Sequence, residues 1–170
     1  GSFESDASSS DDDSEDESDD ESEDDRKRSN INGEGALALA KSFANSKRLK
    51  CVNLSYVDSI GANEWQILLT SLLHPSLKTL DLRSNRSIAP AGWHAFFSAL
   101  QHTKSDLEVF ELRNNRIDDA SAARMAESLA NITTLKTLDL HSNPSITPTG
   151  WLAFSELLRN SKLEELDISS

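Results

Sequence analysis

Apolar residues return along this chain in one fixed phrase. Leucine or another bulky apolar residue fills the first, fourth and sixth positions of residues 49–54, 77–82, 107–112 and 135–140, and a fifth copy runs over 163–168. Successive copies start 28, 30, 28 and 28 residues apart. Self-similarity at such a period marks a stacked repeat array. Within each phrase, apolar and polar positions alternate around Leu80 and Leu82 and their equivalents, which predicts a short strand with one buried face. Between the phrases, stretches such as 92–100 and 121–129 carry apolar residues at spacings of three and four. That is the pattern of an amphipathic helix. A single strand-plus-helix unit cannot bury its own apolar face, so neighbouring units must stack and share one elongated core.

Three residues beyond the second, third and fourth phrases stands an asparagine, Asn85, Asn115 or Asn143, followed by an isoleucine, Ile88, Ile117 or Ile146. The first unit departs, with Val57 in place of the asparagine. This L-x-x-L-x-L-x-x-N frame, held over four units, resembles the leucine-rich-repeat family in its long, ribonuclease-inhibitor-like form. The resemblance covers residues 29–170. It implies an α/β fold: a right-handed βα solenoid, curved as a horseshoe, with a parallel sheet on the concave face and helices on the convex face. Residues 29–48 form a partial repeat, full repeats start at 49, 77, 107 and 135, and residues 163–170 make a truncated one. In the family the asparagine amide bonds the backbone of the turn leaving the strand. Val57 cannot do so, and the first turn is expected to be irregular.

Residues 77–100 and 135–158 share 16 of 24 positions, which points to duplication of a two-repeat block. Trp65, Trp93 and Trp151 fall in one column at the starts of the helices, where packing between repeats is the expected role. Neither end carries a recognisable cap, so the array is expected to be part of a longer one.

Charge separates the first 28 residues from the rest. Residues 4–25 hold fourteen of the 29 acidic residues, opposed only by Arg26, Lys27 and Arg28, while residues 29–170 are close to neutral. A run of Ser, Asp and Glu buries too little apolar area to offset the entropy of ordering, so this leader is expected to be disordered. Its field favours a basic protein partner and disfavours nucleic acid. Ser8, Ser9, Ser10, Ser14, Ser18 and Ser22 each precede an acid by three residues. That spacing resembles the substrates of casein kinase II-type acidophilic kinases, although composition alone also generates it.

The longest nearly apolar run, 65–73, is about half a membrane span, and the acidic amino terminus is unlike a secretory signal. One cysteine, Cys51, rules out an internal disulfide framework. An intracellular location, cytoplasmic or nuclear, follows as the expectation, with no membrane partner. No phosphate loop, zinc spacing or nucleophile elbow is present, and no cofactor or catalytic residue is assigned.

On the concave side, one column is predicted to run Asn53, Asp81, Glu111, Asp139 and Asp167, and its neighbour Ser55, Arg83, Arg113, His141 and Ser169. These residues, Asn53 to Asp167, are the candidate partner-binding surface. Strands lie about 4.8 Å apart, so like charges would stack and cross-strand pairs with the basic column would offset them. Asp139, His141 and Asp167 share a face, yet a smooth sheet offers no pocket to exclude water from a reaction or a metal. The leading function is a non-enzymatic protein–protein interaction scaffold. Two other classes stay open. Ran GTPase-activating proteins also join such repeats to an acidic segment, though after the array and not before it. Acidic, histone-binding nuclear phosphoproteins share the same ingredients with shorter repeats.

Overall fold

The computed structural model describes residues 30–159 and 161–169. The acidic leader, its expected disorder and its six candidate serines lie outside the described residues. Five helices alternate with five strands: α1 (Gly33–Asn45), β1 (Cys51–Asn53), α2 (Ala62–Ser71), β2 (Thr79–Asp81), α3 (Pro90–Leu100), β3 (Val109–Glu111), α4 (Asp119–Leu129), β4 (Thr137–Asp139), α5 (Pro148–Leu158) and β5 (Glu165–Asp167). The strands form one parallel sheet in chain order, β1 to β5. Each helix returns the chain to start the next strand beside the last, the right-handed βα crossover that strand twist favours. The fold is the leucine-rich-repeat solenoid anticipated from the phrase.

The regular strands are short, but their pairing continues past them. Leu54, Leu82, Leu112 and Leu140 each donate their backbone N–H to the next repeat, at 2.7–2.9 Å. The phrase leucines fill the space between sheet and helices: Leu80, Leu82, Leu112, Leu138 and Leu140 are all buried. Sequence sets the helix starts as well. Asn32, Asp118 and Thr147 accept from first-turn N–H groups, and Pro90 and Pro148 open α3 and α5, where a missing N–H costs nothing.

Trp65 and Trp93 are fully buried between repeats and Trp151 half-buried, as expected of a packing column. Trp93 stacks on Phe97 at 5.9 Å, and Phe96 meets Phe110 edge-on at 6.2 Å, so α3 is tied to β3 through aromatic contacts. The indole N–H of Trp65 donates to Ser87 Oγ at 2.9 Å, whereas that of Trp93 is buried without a partner among the described residues. The cause is readable in the chain. The third repeat has one residue fewer between its asparagine and isoleucine, and the position equivalent to Ser87 is missing.

The asparagines form a buried ladder along the turns. Asn85 donates to the carbonyls of Leu54 and Leu82 and accepts from Val57 N–H at 2.7 Å. Asn115 donates to the carbonyls of Leu82 and Leu112 and accepts from Asn85 N–H. Asn143 donates to the carbonyls of Leu112 and Leu140. This corrects the expectation for the first turn. Val57 has no amide, but Asn85 of the following repeat reaches back to satisfy its N–H, and Val57 itself is buried. Tyr56, Ser84, Asn114 and Ser142, one residue before each ladder position, all take φ of 54–60°. The first turn therefore holds the same left-handed residue as the others, despite the steric cost to Tyr56.

Candidate functional site on the concave strand face

The sheet register places Asn53 beside Asp81, Asp81 beside Glu111, Glu111 beside Asp139, and Asp139 beside Asp167. The predicted column is therefore continuous across all five strands. Ser55, Arg83, Arg113, His141 and Ser169 follow two residues later in each repeat. Asn53, Arg113, Asp167 and Ser169 are exposed, Ser55, Arg83, Glu111, Asp139 and His141 half-buried, and Asp81 is buried.

The pairing differs from the cross-strand lattice expected. Side-chain oxygens of Asn53, Asp81, Asp139 and Asp167 each accept the backbone N–H two residues ahead, at 2.8–3.0 Å. A short Asx side chain at a strand end reaches that N–H without leaving its own repeat. Asp81 also holds the Arg83 guanidinium at 2.8 Å, and this contact keeps Arg83 firmly charged. Asp167 is held below the usual carboxylate range, first by the Ser169 hydroxyl and then by its N–H. The column's first task is thus to end each strand.

Glu111 is the exception. Its side chain is one methylene longer, and it makes no such bond to Arg113 N–H among the described residues. Burial and the neighbouring Asp139 carboxylate push its pKa up, against a smaller opposing effect from Arg83. His141 Nδ1 lies 2.5 Å from Ser169 Oγ and 4.0 Å from Asp167 Oδ1. Among the described residues no group of three His, Cys, Asp or Glu is placed to hold a metal ion. No described helix is long and apolar enough to cross a membrane.

Sequence reasoning missed a second polar column at the strand entrances: Lys50, Lys78, Glu108, Lys136 and Glu164. Here pairing does cross strands, Lys78 with Glu108 and Lys136 with Glu164. The repeat phrase carried the signal, because its second position alternates in sign over the last four copies. It also missed Asp119, which accepts from Thr147 N–H, Thr147 Oγ1 and Gly150 N–H and so caps α5 from the preceding repeat. Cys51 is exposed on β1, and His74 is half-buried with its ring against Ser76.

The leucine-rich-repeat family model matches residues 74–96 and 131–155. Together with the five-strand solenoid and the periodic phrase, this makes the chain a leucine-rich-repeat protein. Among solved structures, the chain is similar to one described as leiomodin-1 actin-binding site 2, at 19% identity and a TM-score of 0.64, over 78% of this chain and 76% of that one. It is also similar to the C-terminal domain of a Caenorhabditis elegans tropomodulin, at 13% identity and a TM-score of 0.67, over 81% of this chain and 83% of that one. At such identities the likeness concerns the fold. A search of curated protein sequences found no match.

Proposed function

We propose that the chain is a non-enzymatic scaffold that binds a protein partner on its concave strand face, in the cytoplasm or nucleus. The observation that carries this reading is the in-register line of Asn53, Asp81, Glu111, Asp139 and Asp167, with its parallel line of Ser55, Arg83, Arg113, His141 and Ser169. Four strand spacings of about 4.8 Å make a polar strip about 19 Å across. Charge along it is graded. Lys50, Lys78 and Arg83 outnumber Asp81 at the β1–β2 end, and Glu164, Glu165 and Asp167 stand at the β5 end. A partner laid across the strands meets a surface with direction, and complementary charge fixes register and suppresses wrong partners.

Affinity capture tests the reading. Immobilised chain is compared with Glu111→Lys/Asp139→Lys on the concave face and with Ile67→Lys on the exposed side of α2, against cell extract and against purified actin. Actin is included because one structural neighbour is described as an actin-binding site. Partners that are lost with the concave pair and kept with Ile67→Lys support the proposal. Partners kept by the concave pair and lost with Ile67→Lys contradict it.

A further inference from the structure

Residues 35–57 contain four basic residues, Lys41, Lys47, Arg48 and Lys50, and no carboxylate. Lys47, Arg48 and Lys50 are exposed on the stretch that leads into β1, an edge strand of the sheet. Among the described residues none of these three has an ion-pair partner. Register explains the difference from later repeats. Lys78 and Lys136 each face a glutamate on the following strand, but the residue beside Lys50 is Lys78, a like charge already held by Glu108. Like charges side by side on a sheet repel. The first repeat thus presents a basic rim with no ion pair of its own among the described residues, although Lys50 still acts at longer range on the Glu108 carboxylate.

We propose that this rim is the docking surface for the acidic leader of the same chain, residues 1–28. Charge complementarity is direct, since fourteen carboxylates stand against three basic residues in the leader, and the rim offers three cations with no acid nearby in sequence. The reach suffices. The leader joins the array just before α1, and the 13 residues of that helix separate the junction from Lys47 by about 20 Å. The 19 residues between Ser14 and Gly33 span at most about 65 Å when extended, so the middle of the leader reaches the rim easily. Because both partners belong to one chain, even a weak electrostatic contact forms at the high effective concentration a short tether provides. Docking there also places negative charge beside the basic end of the concave strip. It stands independently of whether that strip takes a partner.

The single cysteine supplies the test, because Cys51 is exposed directly after Lys50. A nitroxide on Cys51 of the full, 15N-labelled chain reports which leader amides approach β1. Amides of residues 4–20 lose intensity at about 0.01 M salt, where screening acts over about 30 Å, and recover at about 1 M, where it acts over about 3 Å. Lys47→Glu/Arg48→Glu/Lys50→Glu abolishes the broadening, while Arg159→Glu/Lys162→Glu at the other end leaves it. A thermal melt confirms that each variant is folded, and the salt series on the unaltered rim stands without them. Absence of broadening at low salt, or broadening that persists at high salt or in the triple variant, overturns the proposal.

Discussion

Asn85→Ala removes three side-chain hydrogen bonds at once, but the carbonyls it serves are not equally dependent on it. Leu82 C=O also accepts from Asn115, so it keeps a partner. Leu54 C=O and Val57 N–H lose the only partner they have among the described residues, and both residues are buried. Two orphaned buried groups at about 1–3 kcal/mol each put the cost near 4 kcal/mol. Asn115→Ala orphans one group, Asn85 N–H, because Leu82 C=O and Leu112 C=O are each served by a neighbouring asparagine, at a cost of about 2 kcal/mol. Asn143→Ala orphans only Leu140 C=O and removes a carbonyl oxygen that is itself buried without a partner, so its cost falls to about 1 kcal/mol. Urea unfolding, followed by circular dichroism and by tryptophan fluorescence, ranks the three. Equal losses, or a larger loss at Asn143 than at Asn85, would refute the ladder.

Trp65→Phe is expected to cost about 1 kcal/mol more than Trp93→Phe, because only Trp65 has an indole partner to lose, and chemical denaturation reads the difference. Gly150→Ala drives a Cβ into Asp119 Oδ1, 2.9 Å from Ile146 Cγ2 and 3.1 Å from Asp119 Cα, and overpacking of that kind costs about 1–3 kcal/mol. Gly92→Ala meets only Ile88 Cγ2, at 3.3 Å, and its melting temperature stays level or rises as helix propensity improves. Glu111→Gln raises stability at neutral pH by about 0.5 kcal/mol, the scale of like charges directly opposed on a sheet. The folded pKa of Glu111 is raised, so its protonated form is favoured by folding, and that contribution is lost as pH rises through the folded value. The advantage of Glu111→Gln over the parent therefore shrinks as pH falls through the raised folded value and is gone once pH lies below the ordinary carboxylate range.

Much of this was legible in the sequence because the core is periodic. Leu80 and Leu82 are buried by a period of two, Phe96 and Leu100 by helical spacing, and one phrase repeated five times fixes strand order and register. The concave columns followed from the same register. What the phrase could not show was which partner each polar group takes. Asp81 and Asp139 looked like cross-strand ion-pair members, yet a two-carbon side chain at a strand end finds its own backbone first. Val57 looked like a broken turn because the group that completes it, the Asn85 amide, lies in the next repeat. The left-handed position at Tyr56 was invisible for the same reason, since neighbouring turns impose it and Tyr has no preference for it.

If the proposed partner meets the strand face and not the helices, site-directed crosslinking reads the difference. In a Cys51→Ser background, a photo-crosslinker is placed at Thr137→Cys, half-buried on β4, or at Ile67→Cys, 51% exposed on α2. After irradiation in extract of cells that express the protein, adducts are identified by mass spectrometry. Adducts that form at residue 137, disappear with Glu111→Lys/Asp139→Lys and are absent at residue 67 are the predicted result. Adducts at residue 67 alone, or adducts at residue 137 that survive the charge reversals, would contradict it.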